Sequence, residues 1–106
     1  MLLEQGADIN KATNSGCTPL NVASQQGHVE VMRMLLEQGA DIDKARDSGV
    51  TPLYIASQNG HGEVVRMLLE QGADPSKTWQ GQTPLQIARQ TNHTEIIRLL
   101  ELAAQV

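Results

Sequence analysis

The sequence repeats itself at a nearly fixed interval. The tripeptide Thr-Pro-Leu begins at Thr18, Thr51 and Thr83, and the second interval is one residue shorter than the first. Residues 1–9 have the same sequence as residues 34–42. A repeat of about 33 residues is typical of an elongated fold in which each unit buries its apolar face against its neighbours. We therefore expect the chain to fold as a stack of similar units.

The interval divides the chain into three full units and one half unit, which together form a single domain over residues 1–106. The half unit and the full units are residues 1–12, 13–45, 46–77 and 78–106. The half unit lacks the beginning of the pattern, which predicts that the chain is a fragment of a longer array. The loop between Gly72 and Gly81 is one residue shorter than the preceding loop, and we place the shortening around Pro75.

Each full unit carries the start and stop signals of two short helices. A threonine followed by proline provides a hydroxyl N-cap and the residue that helices favour at their first position. Glycine, or asparagine in the third unit, ends the first helix. Helices this short are not stable alone in water, so their apolar faces must pack together. The signals predict helix pairs at residues 19–26 and 29–38, 52–59 and 62–71, and 84–91 and 94–104.

The unit resembles the ankyrin repeat. In the first full unit the matching residues are Gly16, Thr18, Pro19, Leu20, Ala23, Gly27, His28, Leu35, Leu36, Gly39, Ala40 and Asp41. The second unit matches in the same way, and the third matches until its end, where Gly-Ala-Asp is lost. The resemblance covers essentially the whole chain. It implies a mainly α solenoid of stacked helix-turn-helix units joined by β-hairpin-like loops.

The chain also departs from the family pattern. The family has histidine after Thr-Pro-Leu, where this chain has Asn21, Tyr54 and Gln86. We expect somewhat looser units, in which the asparagine and glutamine substitute a local hydrogen bond. The incomplete first unit would leave an apolar face at the N-terminal end, through which we expect weak self-association. The residues of that face are Leu2, Leu3, Leu20 and Val22.

Composition excludes several functions. The chain has 8 basic and 12 acidic residues and a formal net charge of −4, which argues against binding to nucleic acid or to an anionic membrane. Its only aromatic residues are Tyr54 and Trp79, too few for a stacking platform or a typical small-molecule pocket. The single cysteine, Cys17, excludes an internal disulfide and predicts an intracellular, cytoplasmic location. No apolar run approaches the length of a bilayer span, and no secretory leader opens the chain.

No group of residues predicts a catalytic, metal or cofactor site. His28, His61 and His93 occur once per unit in the same place, so they lie about 10 Å apart if the units stack as packed layers. Zinc needs its ligand atoms about 2 Å from one centre, so these histidines are interpreted as turn residues bonded to backbone groups. Cys17 has no basic neighbour that would activate a thiolate. We therefore predict that the chain is not an enzyme.

The resemblance implies a non-catalytic protein–protein interaction module. In the family, partners contact the hairpin tips and the exposed, concave side of the first helices. An alternative is a scaffold, a spacer or an engineered repeat protein that has no dedicated partner. Carried over position by position, the partner-binding residues are Asn14, Ser15, Cys17, Gln25, Gln26, Asp47, Ser48, Val50, Tyr54, Gln58, Asn59, Trp79, Gln80, Gln82 and Gln90.

The two aromatic residues are candidates for the centre of that interface, because interface hot spots favour aromatic side chains. Trp79 lies where the tip of the third hairpin is predicted to project, and we expect it to anchor a partner. The alternative for Trp79 is packing onto its own shortened loop, against Pro75 and Lys77. The alternative for Tyr54 is burial beside the first helix.

Overall fold

The structure is a computed structural model that describes residues 16–104. In that range the chain forms six helices, arranged as three pairs. Each predicted helix is confirmed, and no end differs from its predicted position by more than one residue. The helices are α1 (Pro19–Gln26), α2 (Val29–Glu37), α3 (Pro52–Gln58), α4 (Gly62–Glu70), α5 (Pro84–Gln90) and α6 (Thr94–Ala104).

The first helix of each pair begins at the predicted threonine. Each threonine hydroxyl accepts a hydrogen bond of 3.2 Å from the backbone N–H three residues later, and proline occupies the first turn. The side chains of Asn21 and Gln86 return a bond to the N–H of their threonine, at 3.0 and 2.8 Å. The predicted substitute bond is therefore confirmed in two units, whereas Tyr54 turns its side chain elsewhere. The three threonines are Thr18, Thr51 and Thr83.

Two layers of helices enclose the core. Helices α1, α3 and α5 pack side by side in one layer, and α2, α4 and α6 form the other. Ala23, Ala56 and Ala88 recur at the layer interface and are 1%, 0% and 0% exposed, which lets the helices approach closely. Because each pair fills its core only with the help of its neighbour, the array is the stable unit rather than any single pair.

The N-terminal face differs from the prediction in one respect. Leu20 is only 1% exposed because its side chain joins the core cluster between the helix layers, so its assignment to an apolar surface is wrong. Val22 is 42% exposed, as that prediction requires. Leu2 and Leu3 lie outside the described residues.

The loop tips of the second and third units are built differently. In the second, Arg46 N donates to Val50 O at 3.0 Å, and the chain turns back with Gly49 at φ 96°. This arrangement is a three-residue hairpin loop that ends in a left-handed glycine. The predicted hairpin-like connection is therefore present here as a turn rather than as extended strands.

The third tip is a two-residue hairpin. Trp79 and Gln82 exchange backbone hydrogen bonds of 2.9 and 3.1 Å, and Gln80 and Gly81 both have positive φ, at 53° and 79°. Two successive residues with positive φ are typical of a type I′ turn. Within residues 16–104 this is the one place where two residues pair as a β-bridge.

The missing residue of the third unit lies in this tip. Asp41 and Asp74 occupy the same position in successive units, and each accepts a hydrogen bond from the backbone N–H two residues later, at 3.3 and 2.9 Å. Up to Ser76, one residue after Pro75, the positions of the two loops therefore still correspond at the interval that separates the first two units. The placement of the shortening around Pro75 is therefore wrong, although it does lie in the loop that the interval indicated.

Candidate functional site

The structure places most of the predicted partner-binding residues on the surface. Asn14 and Ser15 lie outside the described residues. Cys17, Gln25, Gln58, Trp79 and Gln82 are half-buried. The fully exposed members are Gln26, Asp47, Ser48, Asn59, Gln80 and Gln90.

Val50 and Tyr54 are buried, so their assignment to a contact surface is wrong. They are 4% and 2% exposed and form a small second core with Ile87, against which Ile55 and Trp79 pack. Burial also raises the pKa of the Tyr54 phenol, which therefore remains a neutral hydrogen-bond donor. The alternative of burial beside the first helix is the one that the structure supports for Tyr54.

Trp79 connects the second and third loop tips. Its ring meets the ring of Tyr54 edge to face, with centroids 5.3 Å apart and an interplanar angle of 69°. Its indole Nε1 donates to the backbone carbonyl of Ser48 at 3.0 Å. The ring thus packs on the neighbouring unit, neither projecting freely nor folding onto its own loop. Sequence position gave no sign of this contact, because both partners belong to the preceding unit.

Glutamine recurs at one position in all three units. Gln25, Gln58 and Gln90 lie in the last turns of α1, α3 and α5, where Gln58 and Gln90 are the final helical residues. The Arg46 guanidinium donates to Gln25 Oε1, and Gln82 Nε2 donates to Gln90 Oε1 at 3.0 Å. Because these bonds join loop residues to helix residues, loops and first helices share one surface.

The Tyr54 hydroxyl extends this network into the small core. It donates to Gln82 Oε1 at 3.2 Å, and Gln82 in turn donates to Gln90. A buried side chain of the second unit therefore fixes the orientation of two surface amides of the third. This coupling could not be read from the sequence, since it depends on which way Gln82 faces at the hairpin.

Two of the three histidines, His61 and His93, bond to backbone groups, as interpreted from the sequence. His61 Nε2 lies 2.9 Å from the carbonyl oxygen of Gln25, and His93 Nε2 lies 3.2 Å from that of Gln58. Asn59 Nδ2 also donates to the Gln25 carbonyl, at 3.2 Å. Each bond reaches from one unit to the end of the preceding first helix, so the row of glutamines sits on a rigid junction between units. The exposed His28 begins α2 without a side-chain cap bond.

The second helices carry exposed ion pairs on the opposite surface. Glu30 and Arg33 are 3.5 Å apart, and Glu63 and Arg66 form the equivalent pair. The hydrogen bond from Arg66 lowers the pKa of the Glu63 carboxyl. Such pairs contribute little to stability because water screens them. This surface alternates in sign and offers no single-charge patch.

Neither a metal-binding cluster nor a membrane-spanning helix occurs in the part of the chain that the structure describes. No cluster of three or more histidine, cysteine, aspartate or glutamate side chains there is arranged to hold a metal ion. None of the helices between residues 16 and 104 combines the length and the apolar character that a membrane span requires.

Comparison with known proteins identifies the repeat. A family model of ankyrin repeats in three copies matches residues 1–79 and again residues 43–106, so the two matches together cover the whole chain. A search of curated proteins finds no match to this chain. The helix pairs, the Thr-Pro starts and the hairpin tips described above agree with that family. The chain belongs to the ankyrin repeat family.

Proposed function

We propose that the chain binds a protein partner through the surface that its loop tips share with α1, α3 and α5. Ankyrin repeats are generally protein–protein interaction modules. We call this surface the recognition face. It comprises Gln25, Gln26, Asp47, Ser48, Gln58, Asn59, Trp79, Gln80, Gln82 and Gln90.

The observation that supports the proposal most strongly is the set of bonds that fix this polar face. Arg46 holds Gln25, Gln82 holds Gln90, and Ser48 holds the Trp79 indole. A side chain that is already ordered does not lose rotamer freedom on binding, a cost of about 0.5–1.5 kcal/mol for each rotamer-rich side chain. A spacer without a partner has no need for such ordering of surface amides.

Two further parts of the proposal rest on the composition of the face and of the whole chain. Most side chains of the face are amides, which offer both hydrogen-bond donors and acceptors, so the face is suited to recognition of a polar protein surface. The single cysteine supports a reducing compartment, and we extend the proposal to a cytoplasmic location.

The test compares partner capture by two charge-matched variants. Gln26→Arg with Gln58→Arg alters the recognition face, and Gln38→Arg with Gln71→Arg adds the same charge at the ends of α2 and α4. We expect the proteins captured by the unmodified chain to be lost with the first variant and kept with the second. Melting temperatures verify that both variants fold.

Three results would contradict the proposal. Capture that survives the change in the recognition face would exclude that face as the contact. Capture that is lost only with Gln38→Arg and Gln71→Arg would place the contact on the second helices. A chain that captures nothing above the background of an unrelated protein would favour the spacer alternative.

A further inference from the structure

We propose that the recognition face binds a proline-rich segment in the polyproline II conformation, which lies along the row formed by Gln25, Gln58 and Gln90. This inference rests on the proposed function and specifies the class of partner. Two features of the row support this inference. Its free hydrogen-bonding groups are mainly donors, and the spacing of its members matches the partner.

The row presents mainly donors. The loops already use the side-chain oxygens of Gln25 and Gln90, because Arg46 has only donors to offer and Gln82 directs its Nε2 at Gln90. Among the described residues, no acceptor is bonded to the Nε2 of either glutamine. Gln58 forms no side-chain hydrogen bond within residues 16–104, so its amide is open on both sides. The row therefore matches a partner that is rich in acceptors.

A proline-rich backbone meets that description. Proline has a carbonyl acceptor but no backbone N–H, and the carbonyls of a polyproline II helix have no internal partners. An α-helical partner already uses its carbonyls internally, and a β-strand would bring an N–H for every carbonyl. Of the three backbone forms, proline-rich polyproline II is the one that offers free carbonyl acceptors to the row without bringing backbone N–H donors of its own.

The spacing of the row agrees as well. The glutamines lie in adjacent first helices, and packed helices are about 8–10 Å apart. Polyproline II rises about 3.1 Å per residue with three residues per turn, which is about 9 Å per turn. One carbonyl in every third residue of the partner can therefore face one glutamine, and the register is kept along the array.

Apolar side chains border the first two glutamines of the row on the helix side. Val22 and Ile55 precede Gln25 and Gln58 by three residues and so lie on the same helix face. Val22 is 42% exposed and Ile55 is half-buried, and the half-buried Trp79 ring stands on the loop side. Proline rings need such apolar contacts, since proline-rich segments in this conformation dock in grooves that are lined by aromatic side chains.

The first experiment uses an acetylated, amidated oligoproline of about twelve residues, which is four turns of the helix. It is titrated into the 15N-labelled protein while the side-chain NH2 signals are followed by NMR. We expect the signals of the three row glutamines to shift together and to report one affinity. The exposed Gln38 and Gln71 on the other surface serve as internal controls and are expected to stay in place.

The second experiment removes the donors without changing the shape. In Gln58→Glu and in Gln90→Glu a carboxylate replaces the amide, and position 90 keeps the oxygen that accepts from Gln82. We expect each change to weaken oligoproline binding about fivefold, as for the loss of one hydrogen bond. Gln71→Glu adds the same charge on the opposite surface and is expected to leave affinity within twofold of the unmodified chain. Circular dichroism verifies the fold of each variant.

The inference is overturned if oligoproline shifts none of the row signals at millimolar concentration, or if all three variants weaken binding equally. A helix-forming peptide of equal length distinguishes the two levels of the proposal. If that peptide shifts the row signals and oligoproline does not, the inference is wrong and the proposed binding face stands. If oligoproline binds the row but the variant with Gln26→Arg and Gln58→Arg still captures protein, the proposed function is wrong although the row binds oligoproline.

Discussion

At the scale of the residue, positive φ angles mark where this chain has least freedom to change. Gly27 and Gly60 end first helices with φ of 73° and 78°. Each also lies under a histidine of the following unit, so that a Cβ built at either position would come within 2.6 Å of an imidazole atom. Glycine is therefore needed there for two independent reasons. Asn92, at φ 60°, fills the equivalent place of the third unit, where no such histidine lies above it among the described residues.

The two reasons are separable by comparing Gly27→Ala with Gly39→Ala. Gly39 also has positive φ, at 85°, but no atom lies within 4 Å of a Cβ built there. We expect Gly39→Ala to lower the free energy of unfolding by about 1–2 kcal/mol through backbone strain alone. Gly27→Ala should cost about 1–3 kcal/mol more because His61 cannot move away without losing its bond to Gln25. Denaturant unfolding measures both, and equal losses would contradict the steric argument.

A stabilising substitution is available at the third tip. Gln80 adopts φ of 53° in a turn that favours Asn-Gly, and asparagine tolerates this backbone region better than glutamine does. We expect Gln80→Asn to raise the free energy of unfolding by about 0.5–1 kcal/mol, since it relieves part of the left-handed strain. Ser48→Asn is the control, since Gly49 is the residue with positive φ in that loop. A gain of the same size from both variants would show that asparagine acts through something other than the turn.

At the scale of the element, the helices were predictable from sequence and the loops only in part. Thr18 with Pro19 and Gly27 fix the two ends of α1 through local backbone chemistry, which is why its predicted bounds hold. The sequence does not predict the two-residue hairpin, because repeat intervals give the length of a loop but not the position of a deletion within it. Nothing local to Gln80 distinguishes a positive φ from an ordinary loop conformation.

The packing of the aromatic pair shows the same limit. Their positions within a unit predict a contact surface for Tyr54 and Trp79, but the environment of each is set by a neighbouring unit. The T-shaped contact between them and the indole bond to Ser48 both cross the boundary between the second and third units. A repeat pattern fixes contacts inside a unit, whereas individual side chains decide how neighbouring loops meet.

We therefore expect Trp79 to contribute mainly to the stability of the fold. We expect Trp79→Ala to lower the free energy of unfolding by about 2 kcal/mol, from the aromatic contact and one hydrogen bond. Trp79→Phe keeps the ring against Tyr54 and loses only the Nε1 bond, so its loss should be about 1 kcal/mol. Thermal and denaturant unfolding provide the measurement. A Trp79→Ala variant with unchanged stability would restore the view of Trp79 as a freely projecting anchor.

At the scale of the whole molecule, stability is distributed along one dimension. Helix α3 contacts α1, α4 and α5, and α4 contacts α2, α3 and α6, whereas the pairs α1–α2 and α5–α6 each have described neighbours on one side only. In such an array stability is close to a sum of unit and interface contributions, so units with fewer neighbours open first. The glutamine row crosses all three units, so a bound segment would bridge regions of unequal stability.

Leu68 and Leu100 test this gradient because they occupy the same position in successive units and are 0% and 2% exposed. Truncating either to alanine removes buried apolar surface and leaves a cavity, at a cost of about 2–5 kcal/mol. We expect Leu68→Ala to lower amide-exchange protection throughout residues 16–104, since α4 has packed helices on both sides. Leu100→Ala should lower it in α5 and α6 while α1 to α4 keep most of theirs. Native-state hydrogen exchange distinguishes the two patterns. A uniform loss of protection in both variants would contradict the gradient, because it would mean that the array opens as one cooperative unit. In that case no part of the recognition face would open before the rest.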